Sequence, residues 1–387
     1  MHERTALGAA DVTDDELARI AADSLGLDPS LTRLLDSVAS EFPYDLPSIT
    51  TAGRYWVTGH VDAGKGPRSF RVFVKHVQSW SRSPYFADVP AEYRDQAEAS
   101  VPWRTEPLAY RSDLGDRLPD GLAMPRALAV VDLDEKASAI WLEEVQVVPA
   151  TWDRARYAHA AHLLGRLAVS PRVAERADVG GHPFHVRDYV DGRLHIQVLP
   201  MLRDEGIWHH PLVSGAFDAP LRARLLAAAD RADEYVEELS ALPFGTAHGD
   251  ACPNNLLVRA PEDGFVLIDY GFWAAEPIGF DLAQLLVGDI QVGKTSSADL
   301  AELEEACLAA YVDGMRAEGS TIEASAVRRA HALQLLIFTG YSTLPWEYLG
   351  QEPTPGLHAL AAERAAIARF SLDLVDATAT IGELSPR

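Results

Sequence analysis

The run His248-Gly249-Asp250-Ala251-Cys252-Pro253-Asn254-Asn255-Leu256-Leu257, followed by Val266-Leu267-Ile268-Asp269-Tyr270-Gly271, constrains this chain more than any other stretch. It sets three polar side chains in order: Asp250, then Asn255, then Asp269 at the end of an apolar run. Pro253 and the Asn254-Asn255 pair signal a turn, and Phe265-Val266-Leu267-Ile268 reads as a short buried strand that delivers a carboxylate to a cleft. Phosphoryl transfer from ATP needs such a trio. One carboxylate orients the attacking hydroxyl and accepts its proton, while an amide and a second carboxylate hold the Mg²⁺ ions that bridge the phosphates.

The spacing His-x-Asp-x-x-x-x-Asn, followed by Asp-x-Gly, is that of a kinase catalytic loop, with Tyr270 in place of the usual Phe. His248 is expected to brace the loop, with Asp250 as the base. Asp281, in Gly279-Phe280-Asp281-Leu282-Ala283, either caps a helix or hydrogen-bonds the loop backbone. Upstream, Phe70-Arg71-Val72-Phe73-Val74-Lys75 alternates at period two and ends in a lysine, and Glu106 lies on the next helical segment. A kinase uses this pair to contact the α- and β-phosphates and to hold the lysine in place. Pro107, directly after Glu106, disfavours the α conformation at the glutamate.

Residues 1–44 are expected to form a helical extension, with one helix opening at Asp14-Asp15-Glu16-Leu17 and a second over Leu31 to Phe42. Residues 45–147 read as a small β-rich lobe. Its strands include 127–132 and 138–145, and a loop rich in Ser, Pro and aromatics runs from Trp80 to Pro102. Residues 148–387 carry long amphipathic segments (155–168, 221–241, 299–318 and 324–340) and read as a larger helical lobe. The expected class is α+β.

Gly288-Asp289-Ile290-Gln291-Val292-Gly293-Lys294-Thr295 matches a phosphate-loop pattern. Such a loop must follow a strand and open a helix, whereas the residues before this one read as a helix, so the match is set aside. A glycine-rich G-x-G-x-x-G cover is absent, which points away from protein kinases. The net charge of −23 argues against nucleic acid or an anionic membrane as partner. No apolar run approaches the roughly eighteen residues of a membrane span, and the first residues lack the pattern of a secretion signal, so the cytoplasm is the expected compartment. Two cysteines, Cys252 and Cys307, exclude a disulfide framework.

With His248-Gly249-Asp250, Asn255 and Asp269 ahead of a helical lobe, the sequence resembles the aminoglycoside phosphotransferase family over roughly residues 49 to 345, most specifically around 248–281. The resemblance implies a protein-kinase-like two-lobed fold and an ATP- and Mg²⁺-dependent small-molecule kinase. It makes Asp250 the catalytic base, Asn255 and Asp269 the Mg²⁺ ligands, and Lys75 and Glu106 the nucleotide-anchoring pair. It also makes Glu143-Glu144-Val145 a hinge whose backbone binds adenine. The acceptor would be a small-molecule hydroxyl, on an aminoglycoside, another antibiotic, or a metabolite of the choline, homoserine or sugar type. A nucleotide-binding regulator without turnover is the rival outside enzymes. Trp208, His209, Tyr341, Trp346 and Glu347 are candidate acceptor contacts, with packing of loops on the core as their alternative role.

Overall fold

The computed structural model describes residues 2–44, 48–181, 186–259 and 264–382. Within the first part of the chain, β1 (His2–Glu3) leads to helix α1 (Asp14–Leu25), then to strands β2 (Arg33–Glu41), β3 (Thr51–Asp62) and β4 (Pro67–Gln78). Short helices α2 (Arg94–Ala99) and α3 (Thr105–Arg111), the two-residue strand β5 (Leu122–Ala123), and strands β6 (Ala127–Asp134) and β7 (Ala137–Glu143) complete it. The main sheet runs β1-β2-β3-β4-β7-β6 and is antiparallel except where β1 joins β2.

The sheet follows from alternation, since successive side chains leave opposite faces of a strand. Val57, Val72, Val74 and Trp141 point one way and pack on Leu17 and Ile20 of α1. Phe73, Ile140 and Leu142 point the other way into the main core. Thr13 starts α1 with a reciprocal cap: its hydroxyl accepts from the Glu16 amide at 3.3 Å and the Glu16 carboxylate accepts from the Thr13 amide at 3.0 Å.

The expected helix over 31–42 is a correction. Residues 33–41 form β2, in register with β3 from Arg33 opposite Asp62 to Glu41 opposite Tyr55. An open edge of β3 pairs along the whole of this segment, and tertiary pairing of that kind overrides a weak local helical pattern. Residues 2–44 therefore build the sheet and its helical cover.

The second part is mainly helical. Its longest helices are α4 (Arg154–Val169) and those spanning Ala219–Ala229, Ala232–Ser240, Phe280–Gln291, Leu300–Ala317, Ala324–Gln334 and Pro355–Gly382. Helix α4 and the Leu300–Ala317 helix touch through glycines. A Cβ on Gly165 would stand 2.1 Å from the Tyr311 carbonyl oxygen, and one on Gly314 would stand 2.0 Å from that of His162. Four short strands lie beside these helices: β8 (Phe244–Ala247), β9 (Leu256–Val258), β10 (Phe265–Leu267) and β11 (Ala274–Pro277). β8 pairs with β11 and β9 with β10, and β10 also pairs with β5 from the first part of the chain. This is the expected α+β arrangement of a small antiparallel sheet with a larger helical body. No helix among the described residues is long and apolar enough to cross a membrane.

Candidate active site

β8 ends at Ala247 and hands the chain to His248, Gly249 and Asp250, while β10 ends at Leu267 and delivers Asp269. The Ile268 amide donates to the Asn255 carbonyl at 3.1 Å, which ties the two loops together. The Asn255 Nδ2 donates to the Asp250 carbonyl oxygen at 2.8 Å and to Asp250 Oδ2 at 2.9 Å. The five-residue spacing thus closes into a side-chain contact. Asp281 sits in the first turn of the Phe280–Gln291 helix, whose N-cap is Gly279, and its two oxygens accept from the His248 and Gly249 amides, each at 2.9 Å. Of its two open roles, the loop brace is the one found.

Gly249 is required by this geometry. Its φ is +85°, and a Cβ there would lie 2.2 Å from the Phe272 carbonyl oxygen. His248 is fully buried, its Nδ1 accepting from the Asp250 amide at 3.4 Å. Burial pulls its imidazole down to about 4, so it stays neutral. Burial and the Asp269 charge push the Asp250 carboxyl up to about 7, although Asn255 donates to it.

Lys75 near the end of β4 meets Glu106 of α3 at 2.6 Å and Asp269 at 2.9 Å. Burial pulls the ammonium down, but the two carboxylates more than offset it and leave it above its ordinary value. Burial pushes Glu106 up to about 7 against the attraction of Lys75. Asp269 is held below the usual carboxylate range because Lys75 outweighs its burial. Asp269 is also the one non-glycine residue with positive φ among the described residues, at +67°. Such a conformation costs on the order of 1 kcal/mol and persists where the surroundings dictate it. Pro107 does not disturb Glu106. Helix α3 begins at Thr105, so the proline falls in the first turn, where its missing N–H has no intrahelical acceptor to lose.

Glu143 ends β7 opposite Val72. Its side chain accepts from the Arg126 amide at 3.0 Å, and Glu144 pairs with Arg71 at 2.7 Å, leaving backbone groups around Val145 as what this segment can offer a ligand. Gly288 lies inside the Phe280–Gln291 helix, so the Gly288–Thr295 match has no strand before it. Lys294 instead donates to Asn254 Oδ1 at 2.9 Å. Burial pushes the Cys252 thiol up to about 12, which leaves it a packing residue.

Beside Asp250 lies a cavity of about 830 Å³. It is walled by segments 80–101, 188–197, 272–284 and 334–339. The five acceptor contacts expected from sequence do not line it. Trp208 is buried and donates from its indole to the Leu202 carbonyl at 2.8 Å, and Tyr341 is buried and donates to the Ala228 carbonyl at 2.7 Å. Glu347 pairs with Arg364 at 2.6 Å, Trp346 packs against the main core, and His209 is exposed at the end of the short turn Ile207–His209. Packing on the core, their alternative role, describes Trp208, Tyr341 and Trp346. Residues 80–101, from the first part of the chain, supply one wall of this cavity.

Sequence reasoning missed Glu276 and Gln334, which line this cavity, and Arg54, which faces Lys75 in register and pulls electrostatically on Glu106 and Asp269. The position of Arg54 on the strand paired with the lysine strand was the one available signal. Glu276 and Gln334 had none, since nothing local marks a buried polar residue on a short strand or a helix.

A profile of the phosphotransferase enzyme family matches residues 113–318 of the chain. Among solved structures, an aminoglycoside phosphotransferase from Alicyclobacillus acidocaldarius superposes with a TM-score of 0.52 at 18% identity, over 84% of this chain and 90% of that one. This likeness is one of fold, the two-lobed protein-kinase-like fold. A spectinomycin phosphotransferase has a TM-score of 0.48 at 11% identity over 95% and 99% of the two chains. A macrolide 2′-phosphotransferase type I has 0.42 at 16% over 92% and 98%. No curated protein matches the chain.

Proposed function

The chain belongs to the phosphotransferase enzyme family, and from that premise we propose that it transfers the γ-phosphoryl group of ATP to a hydroxyl of a small molecule. The observation that carries this reading is the meeting of Lys75 with both Glu106 and Asp269, next to the Asp250–Asn255 pair. Lys75 contacts the α- and β-phosphates, and Glu106 keeps its ammonium in place. Adenine lies against the sheet face that carries Phe73 and meets backbone groups at Glu143 to Val145.

The acceptor enters the cavity beside Asp250. Its oxygen attacks the γ-phosphorus in line, an O–P bond forms, the bond to the β–γ bridging oxygen breaks, and ADP leaves. Asp250 takes the hydroxyl proton, and a carboxylate raised toward neutrality is suited to that exchange. Asn255 already uses its amide nitrogen on Asp250, so its oxygen and the Asp269 carboxylate are the atoms offered to Mg²⁺, an ion that prefers hard oxygen donors. When bound, Mg²⁺ would neutralise phosphate charge.

The test is an ADP-release screen with amino sugars, nucleoside and macrolide antibiotics and small amino alcohols as acceptors. With an acceptor that turns over, Asp250→Ala is expected to lower kcat by about three orders of magnitude or more while ATP still binds. Unchanged turnover in that variant refutes the reading.

A further inference from the structure

Seven aromatic residues line the cavity beside Asp250, among aliphatic and polar side chains. Tyr189 and Phe338 stack with centroids 4.4 Å apart, Phe280 meets Phe338 edge-on at 5.1 Å, and Trp80, Tyr85, Tyr93 and Phe272 also line it. A polyhydroxylated polycation would bring many donors against these faces, and each buried polar group without a partner is unfavourable by roughly 1–3 kcal/mol. A large apolar body suits them.

The polar groups lining the cavity include Arg193 and the Trp80 indole N–H, unpartnered among the described residues, and two buried side chains among them present open acceptor oxygens. Glu276 on β11 and Gln334 are each only 1% exposed. Gln334 donates from Nε2 to the Pro277 and Ile278 carbonyls at 3.0 and 3.3 Å, which fixes its amide so that Oε1 is the unpartnered end. Glu276 Oε2 is likewise unpartnered among the described residues. Buried polar atoms are almost always satisfied, so two acceptors left open in one cavity can each take a donor from a bound ligand. Burial together with the charges of Asp281 and Asp188 pushes the Glu276 carboxyl well above its ordinary range. Arg193, the one lysine or arginine among the described lining residues, has its guanidinium over the Trp346 ring at 5.4 Å.

Resting on the reading of Asp250 as the acceptor-side base, we propose that Glu276 and Gln334 form a recognition subsite for a single protonated amine carried by a bulky, otherwise apolar alcohol, whose hydroxyl faces Asp250. An ammonium supplies N–H donors to both open oxygens and stabilises the ionised form of Glu276, while the rings cover the apolar body. A neutral alcohol offers the carboxyl no cation to ionise against.

Calorimetric titration of the 387-residue chain with propranolol, an aryl amino alcohol, with its uncharged N-acetyl derivative, and with kanamycin A tests this. Propranolol is expected to bind at least about tenfold more tightly than either of the others, the effect of one charged hydrogen bond. Glu276→Gln, nearly isosteric, is expected to weaken propranolol about tenfold, and Gln334→Leu to weaken it less, with ADP affinity unchanged in both. Equal affinity for propranolol and its N-acetyl derivative, tighter binding of kanamycin A, or a Glu276→Gln variant that binds propranolol as the native protein does, overturns the proposal. Glu276-dependent binding without ADP release from any acceptor would sink the kinase reading alone. ADP release with kanamycin A that ignores Glu276 would sink the subsite alone.

Discussion

Lys75 Nζ lies 2.6 Å from Glu106 Oε2, a contact between the third strand of the sheet's antiparallel run and a short helix, with both side chains almost wholly out of water. An ion pair this buried is expensive to break from one side, because the surviving charge keeps its desolvation penalty and loses its partner. Lys75→Met is therefore expected to destabilise the fold by about 3 kcal/mol, measured by urea unfolding. Its loss of phosphoryl transfer should exceed a hundredfold, because the charge that meets the phosphates is gone. Glu106→Gln keeps the shape and a hydrogen-bond acceptor, so it should lose less in both assays. A Lys75→Met variant with native turnover would show that the ammonium does not serve the phosphates.

Asp281 accepts two backbone amides with its two oxygens. An asparagine has one oxygen, and its NH₂ would face the second amide donor to donor. Asp281→Asn is expected to lower stability by about 1–3 kcal/mol and to reduce kcat more than it raises the KM for ATP, since the displaced loop carries Asp250. Unfolding curves together with initial rates at varied ATP separate the two effects.

Gly249 combines a left-handed backbone with a Cβ position occupied by the Phe272 carbonyl. Gly249→Ala should cost about 3 kcal/mol or more, from the strained φ and the forced shift of backbone. Because the glycine sits directly before Asp250, the variant should lose activity even at temperatures where it remains folded. Thermal unfolding and rates taken well below its Tm check this.

The wall formed by 80–101 is tethered through Glu98, which pairs with Lys136 at 2.6 Å and accepts from the Ser79 and Ser81 hydroxyls at 2.6 and 2.7 Å. These donors, Lys136 first, hold the Glu98 carboxyl down at about 2, against 4.5 ordinarily. A carboxyl lowered on folding contributes stability that is present in full above about pH 4.5 and is lost as pH falls towards 2. Acidification through that window is expected to expose 80–101 to pepsin before the far-UV helical signal falls. Lys136→Met should move the onset of cleavage to higher pH and raise the KM for the acceptor, with the KM for ATP unchanged. A cleavage onset that Lys136→Met leaves in place would show that another contact holds this wall.

Much of the site was legible in the linear sequence because its parts are local. Asp250, Asn255 and Asp269 belong to one strand–loop–strand unit, in which spacing alone decides which side chains face one another, and the Asn255–Asp250 contact follows from it. Lys75 and Glu106 could be named because a period-two strand and a helix start are themselves short-range signals. The acidic balance and the absence of a long apolar run were equally plain in composition.

Tertiary structure decided the rest. Residues 33–41 became a strand because β3 offered them an open edge, and Tyr341 went into the core where the remote Ala228 carbonyl accepts its hydroxyl. The cavity beside Asp250 is assembled from four segments far apart in the chain, and Glu276 and Gln334 acquire meaning only when burial removes water from them. Local spacing specifies which groups can react. Burial and the convergence of remote segments specify what they can meet, because desolvation is a property of the packed whole and not of any residue's neighbours in sequence.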